Sequence, residues 1–136
     1  MELPWLSRWQ PQAHALLRII AGLLFLEHGT SKLFAFPVSP PGMPHPMPTM
    51  ILASAVIELV CGLLVSVGLF TRLAAFIACG EMAVAYFMAH FPKGFWPIVN
   101  MGEPAILYCF IFLFLAAAGA GAWSIDGARN RNAPIR

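Results

Sequence analysis

Side chains that could move protons or bind a polar ligand are concentrated between Glu81 and Tyr108. This stretch contains two carboxylates, a histidine, an asparagine and two tyrosines, yet apolar segments flank it on both sides. A charged side chain at the centre of a membrane helix costs about 2.5–3.5 kcal/mol on insertion scales. A chain that places several such groups in hydrocarbon must pair them, neutralise them, or use them to bind a polar ligand or move protons. The stretch therefore predicts the lid and wall of a polar chamber.

The composition indicates that this chamber lies in a membrane protein. The chain is 60% hydrophobic and 10% charged, whereas charged residues make up about 25% of a soluble domain. The net charge of +2 is small and the arginines are scattered, so no nucleic-acid partner is indicated. The three cysteines stand singly in apolar runs, so neither a disulfide framework nor a C-x-x-C site is predicted.

Four apolar segments predict an all-α fold, a polytopic membrane protein with a bundle of four transmembrane helices in a single domain. A helix rises about 1.5 Å per residue, so roughly 20 residues cross the hydrocarbon layer. A 4-3-4-3 spacing places small and polar residues of each segment on one face, where the small ones let helices approach closely. In the first two segments these faces consist of Arg18, Gly22, Phe25, Gly29 and Lys32, and of Ser54, Glu58, Cys61, Val65 and Gly68. The predicted helices run from about 13 to 36, 49 to 70, 73 to 91 and 103 to 123, with outer loops at 37–48 and 92–102.

The basic residues predict the orientation of the bundle. One side has only two lysines, Lys32 and Lys93. Because cytoplasmic loops carry an excess of Lys and Arg, both termini are predicted to be cytoplasmic. The arginines collected on that side are Arg8, Arg18, Arg72, Arg129, Arg131 and Arg136.

Counting along the predicted helices brings polar groups from all four of them to the outer half of the membrane. Glu81 lies deepest and predicts the floor of a chamber open toward the periplasm. The alternative is that the intramembrane carboxylates only pair with Arg18, Lys32, Arg72 or tyrosine hydroxyls and lock the bundle. Haem ligation by His28 and His90, or a metal at these histidines and Glu103, is less favoured, and no metal is assigned. The converging groups are Glu27, His28, Lys32, Glu58, Tyr86, His90, Glu103 and Tyr108.

Three motifs resemble the DoxX family of small bacterial membrane proteins. They are R-x3-G-x2-F-x2-HG-x2-KLF at 18–34, E-x3-GLL-x3-GLFTR-x-AA at 58–75, and E-x4-Y-x3-H-x-P-x-GFWP-x2-N-x-GE-x3-LY at 81–108. The resemblance implies four membrane helices, a bacterial inner-membrane location and a role in thiosulfate:quinone oxidoreduction or in resistance to quinones and thiol stress. The positions that match the polar positions of the family are His28, Lys32, Glu58, Arg72, Glu81, His90, Asn100 and Glu103.

The expected function is therefore that of a quinone-associated membrane redox subunit. Glu58 and Glu81 are expected to exchange protons, and His28 or His90 to hydrogen-bond a quinone oxygen. The sequence contains no dithiol motif and no nucleotide or flavin fingerprint, so electron transfer would need a bound quinone or the cofactor of a redox-enzyme partner. No covalent cofactor is expected. The expected ligand-binding residues are Lys32, Arg72, Tyr86, Asn100, Glu103 and Tyr108, with Phe95 and Trp96 closing the entrance.

The sequence is also compatible with two other functions. A non-catalytic scaffold would dock a partner through the loops 37–48 and 92–102. A proton-coupled exporter of small molecules is the third hypothesis, although the carboxylates here are distributed and the outer loops are long. Whether the protein is an enzyme, and whether it forms a homo-oligomer, is left open by the sequence.

Overall fold

The computed structural model describes residues 3–131 and folds them into helices joined by short connections, with no strand among those residues. The predicted all-α class is confirmed. Arg136, one of the arginines used to predict the orientation, lies outside the described residues. The helices are α1 (Pro4–Ser7), α2 (Gln10–Phe34), α3 (Thr49–Val67), α4 (Thr71–Ala85), α5 (Pro97–Asn100), α6 (Glu103–Ala118) and α7 (Ile125–Arg131).

Among residues 3–131, two helices are long and apolar enough to cross a membrane. One is α3, and the other is α4 together with the π-helical turn Tyr86–His90 and the 3-10 turn Phe91–Lys93 that continue it. Helix α6 is apolar but shorter. Helix α2 has the length to cross but carries the charged residues Arg18, Glu27 and Lys32. The structure thus contains two helices that qualify as spans by length and composition alone.

Glycines allow α2 and α3 to pack with their backbones almost in contact. A Cβ atom added to Gly62 would lie 2.5 Å from the backbone nitrogen of Leu26, and one added to Gly29 would lie 2.6 Å from that of Leu59. No side chain can occupy such positions without moving a helix. The predicted 4-3-4-3 face of α2 does point into the bundle, because four of its members are buried. They are Arg18, Gly22, Phe25 and Gly29.

Helix α4 packs against both α3 and α6, and the core lies where these helices meet α2. The rings of Phe25 and Phe112, both buried, contact each other edge to face with centroids 4.7 Å apart. Opposite them, α4 contributes the buried alanines Ala74, Ala75 and Ala78. The outer surface is also apolar: Phe76, for example, is 68% exposed. A soluble monomer rarely exposes such a continuous apolar surface.

The fourth predicted helix is five residues too long. Helix α6 ends at Ala118 rather than near 123, because Gly119 adopts a left-handed φ of 86° and the chain leaves the helix there. The guanidinium of Arg72 donates hydrogen bonds to the carbonyl oxygens of Ala116, Ala117 and Ala118, the last at 3.4 Å. Arg72 therefore satisfies the free carbonyls at the end of α6.

Arg18 connects the irregular segment 119–124 to the rest of the bundle. Its side chain is fully buried. It donates to the carbonyl oxygens of Val65 and Ser66 at 2.9 and 2.6 Å, where α3 ends. It also donates to carbonyl oxygens within 119–124, those of Ala120 (2.9 Å), Ala122 (3.2 Å) and Trp123 (2.7 Å). We call this the terminal end of the bundle, and the opposite end, with residues 35–48 and 94–102, the loop end.

Asp126 completes the terminal end. Its carboxylate accepts hydrogen bonds from the backbone N–H groups of Phe70 (3.0 Å) and Thr71 (2.9 Å), which lie at the start of α4. The positive end of a helix favours such a carboxylate. Arg129 lies over the ring of Phe70, 5.6 Å from its centroid. The polar tail up to Arg131 is thus folded onto the bundle.

Candidate functional site

A cavity of about 850 Å³ lies between α2, α3, α4 and α6 toward the loop end. Most of its wall is apolar, with Phe25, Ile57 and Met82 among the lining residues. Half of the residues expected at a site from the sequence line this one cavity. They are His28, Lys32, Glu58, Glu81, His90 and Tyr108.

A chain of hydrogen bonds crosses one wall of the cavity. The Lys32 Nζ atom lies 2.8 Å from Glu58 Oε1 and donates a second hydrogen bond to Ser54 Oγ at 3.2 Å. Ser54 in turn donates to Glu81 Oε1 at 2.7 Å. Ser54 and Glu58 are one turn apart on α3, so Lys32 of α2 and Glu81 of α4 are joined through α3. Both acids are therefore held on the inside of the bundle.

The second oxygen of each carboxylate has no hydrogen-bond partner in the part of the chain that the structure describes. Glu58 Oε2 and Glu81 Oε2 are both buried and accept no hydrogen bond from the described residues. A buried polar atom without a partner is costly, so it is usually satisfied by water, a proton or a ligand. Lys32 contacts Glu58 directly and reaches Glu81 only through Ser54, so one ammonium group serves both acids. The free oxygens mark the polar part of the cavity.

The two histidines of the cavity are oriented by backbone carbonyls. His28 Nδ1 lies 2.8 Å from the carbonyl oxygen of Leu24, and His90 Nδ1 lies 3.0 Å from that of Asn100. A carbonyl oxygen only accepts, so each Nδ1 carries the hydrogen and Nε2 of the neutral ring is an acceptor. The His28 ring also contacts the ring of Tyr108 edge to face, with centroids 5.9 Å apart. These acceptors fit a ligand hydroxyl group.

Asn100 organises the loop that supports His90. It is fully buried, and its amide donates to the Gly94 carbonyl oxygen at 2.9 Å and to the Tyr86 hydroxyl at 3.3 Å. Its Oδ1 atom accepts from the N–H group of Gly102 at 2.8 Å. Tyr86 and Asn100 therefore lie beside the cavity, and their contacts hold the chain on which His90 is placed.

Four of the expected residues are not brought to the cavity. Arg72 is at the terminal end, where it bonds to the carbonyls of α6. Phe95 and Trp96 contact each other edge to face at 5.1 Å but are 68% and 66% exposed on the loop. Glu103 is exposed in the first turn of α6. No cluster of three or more His, Cys, Asp or Glu side chains able to hold a metal occurs within 3–131.

Ser54 is the one member of the hydrogen-bond chain that was not expected at a site. The signal for it was present in the sequence, since it lies four residues before Glu58 on the same predicted helix face. A hydroxyl on a small-residue face is normally interpreted as a packing residue. Only the position of Glu81 on the neighbouring helix shows that it connects two acids.

Comparison with known proteins identifies relatives of the chain. A family model described as DoxX matches residues 13–91, which include most of α2 and all of α3 and α4, and thus Lys32, Glu58 and Glu81. An uncharacterized protein of Haemophilus influenzae is 45% identical over 125 residues, covering 89% of this chain and 93% of the relative. No solved structure matches the chain.

Proposed function

This chain belongs to the DoxX family, and from that premise we propose that it is a membrane redox subunit that binds a quinone in its cavity. The observation that carries the proposal is the cavity itself, about 850 Å³ with apolar walls and two buried carboxylates that each keep a free oxygen. A quinone has an apolar ring and tail with polar oxygens, and such ligands suit apolar pockets with few polar groups.

The proposal includes four membrane crossings, by α2, α3, α4 with its continuing turns, and α6. Of the three charged residues of α2, Arg18 is buried against carbonyl groups and Lys32 is paired with Glu58, so neither of these two faces lipid alone, whereas Glu27 is exposed. At about 1.5 Å per residue, the 16 residues of α6 span roughly 24 Å. The arginine-rich terminal end is assigned to the cytoplasm of a bacterial inner membrane by the positive-inside rule.

The side chains of the cavity have distinct roles in this proposal. Reduction of a bound quinone would take up two electrons and two protons, and Glu58 and Glu81, whose free oxygens mark the polar part of the cavity, would exchange protons with it. The Nε2 atoms of His28 and His90 would accept hydrogen bonds from the hydroxyl groups of the quinol. The electrons would come from the cofactor of a partner redox enzyme.

Quinone content tests the proposal directly. Protein purified in a mild detergent is extracted with solvent, and the quinone per chain is measured by chromatography, before and after adding a short-chain quinone. We expect a bound quinone in the wild type and a several-fold lower occupancy in Glu81→Gln, which keeps the side-chain shape but removes the carboxylate. Glu103→Gln is the matched control, because Glu103 is exposed and outside the cavity. Equal occupancy in the wild type and both variants would contradict the proposal.

The exposed apolar residues of the loop end favour a second role, docking of a partner subunit. Ile98, Val99 and Met101 are 78%, 67% and 75% exposed on one loop. If the protein is only a scaffold, a partner captured in mild detergent should remain bound in Glu58→Gln and be lost in Ile98→Ser. Capture of a second copy of this chain alone would indicate a homo-oligomer instead.

A further inference from the structure

Two cysteines from different helices meet where α4 and α6 pack against each other. The Sγ atoms of Cys79 on α4 and Cys109 on α6 lie 3.7 Å apart, and both thiols are free and half-buried. No motif predicted this pair, because 30 residues separate the two positions in the chain. The sequence has no dithiol motif such as C-x-x-C, and the expectation drawn from this, that the chain has no dithiol, is wrong because the fold brings these two thiols together. Neither cysteine lines the cavity.

We propose that Cys79 and Cys109 are a redox-active dithiol that a lipid-soluble quinone oxidises to a disulfide between α4 and α6. A disulfide bond is about 2.05 Å long, so the sulfur atoms must approach each other by roughly 1.7 Å. The two helices pack against each other along their lengths, and both cysteines contact the same core cluster. Small side-chain rotations on helices that are already adjacent can supply this approach.

The position of the two cysteines determines which class of oxidant can reach their thiols. Cys79 lies about 12 Å along α4 from its first residue and Cys109 about 9 Å along α6, at roughly 1.5 Å per residue. The surface near them is apolar, with Phe76 and Phe110 68% and 64% exposed. Charged, water-soluble disulfides and thiols do not enter such surroundings, because burying an unpaired charge is costly. A neutral two-electron oxidant dissolved in the hydrocarbon layer does enter, and quinones are oxidants of this kind.

The reaction balances without a further reactant. The S–H bonds of Cys79 and Cys109 break and one S–S bond forms between the sulfur atoms. The two electrons and two protons released pass to the carbonyl oxygens of the quinone, which become the hydroxyl groups of the quinol. The dithiol is thereby oxidised and the quinone reduced. Because the quinone approaches from the lipid, the step does not require the cavity.

Counting reactive thiols tests the proposal. Detergent-solubilised protein is incubated with a fully ring-substituted short-chain ubiquinone, denatured, and labelled with a polymer-linked maleimide that shifts the gel position once per thiol. We expect the three cysteines of the chain to give three labels before treatment and one after it, with three again after reduction by a phosphine. Cys61→Ser is the matched control and should fall from two labels to none, whereas Cys79→Ser should keep both of its labels.

Other results would overturn the proposal in separable ways. If copper–phenanthroline closes the disulfide but the quinone does not, the pair exists and quinone is not its oxidant. If neither reagent removes labels, or if labels are lost only through cross-linked dimers, the two thiols do not react within one chain. Glu81→Gln should oxidise as the wild type does, so loss of quinone from the cavity and failure of the dithiol are distinguishable.

Discussion

At the scale of single residues, Lys32 sets the charge balance of the cavity. Glu58 is only 2% exposed and its carboxylate is paired with the Lys32 ammonium at 2.8 Å. Removing one partner of a buried pair typically costs about 3–5 kcal/mol, because the other charge stays behind uncompensated. We expect Lys32→Met to lower the thermal unfolding midpoint of the detergent-solubilised protein clearly, as measured by circular dichroism.

The double variant Lys32→Met/Glu58→Gln is the control for this prediction. It removes both charges, so much of the stability lost in Lys32→Met should return. A Lys32→Met protein that unfolds at the wild-type temperature would contradict the importance of the pair.

The Asp126 carboxylate makes the terminal end sensitive to acid. Burial raises the pKa of Asp126, but the hydrogen bonds from the N–H groups of Thr71 and Phe70 and the charge of Arg129 outweigh it and hold the pKa below its ordinary value. A depressed pKa gives stability that is fully present above the unfolded value of about 3.9 and is lost as the pH falls through the folded value. We therefore expect the wild type to be more stable than Asp126→Asn at pH 7, and the difference to shrink below about pH 4. Unfolding midpoints of both proteins from pH 3 to 7 measure this, and a difference that stays constant would refute it.

At the scale of elements, the contact between α2 and α3 depends on glycine. A Cβ atom on Gly62 would meet the backbone of Leu26 at 2.5 Å, and a backbone cannot rotate away as a side chain can. We expect Gly62→Ala to destabilise the protein by about 1–3 kcal/mol, as overpacking does. Gly80→Ala is the matched control, since nothing lies within 4 Å of a Cβ at that helical position, and it should unfold at or slightly above the wild-type midpoint. Equal midpoints for the two variants would show that the helices can separate freely.

The elements also show which features the sequence predicts and which it does not. The 4-3-4-3 spacing correctly predicted that Gly22, Gly29 and Glu58 lie on buried faces, because helical periodicity alone determines the face. The end of α6 was misplaced because residues 116–122 are all alanine or glycine, with no polar residue to stop the apolar run. Two features mark that end, the guanidinium of Arg72 and the left-handed backbone of Gly119. Arg72 is far from the end of α6 in the sequence, and a glycine in a sequence does not by itself reveal which backbone conformation it adopts.

The candidate site was predictable in its parts and not in its connections. The sequence indicates that Lys32, Glu58 and Glu81 face other helices, and the structure brings them to one wall. The bridge through Ser54 and the approach of Cys79 to Cys109 depend on the relative rotation and axial shift of two helices. Periodicity within one helix contains no information on either quantity.

At the scale of the whole molecule, the arginines at the terminal end predict the topology. We expect four crossings with the loop end outside and both termini in the cytoplasm. Single cysteines placed in a cysteine-free variant at Ser39 and at Arg129 test this with a maleimide that does not cross membranes. Ser39→Cys should be labelled in intact cells, and Arg129→Cys only after the membrane is permeabilised. Labelling of both positions from the same side would exclude this topology.

The network of Arg18 has a consequence for how the protein is made. Arg18 is synthesised 102 to 105 residues before three of the carbonyl groups that it binds, those of Ala120, Ala122 and Trp123. Until those residues are made, this arginine has only the end of α3 to bind. A product truncated after Ala118 therefore carries an incompletely satisfied cation in its first long helix, and quality-control proteases of the membrane have a feature by which to distinguish it from a chain that includes residues 119–124.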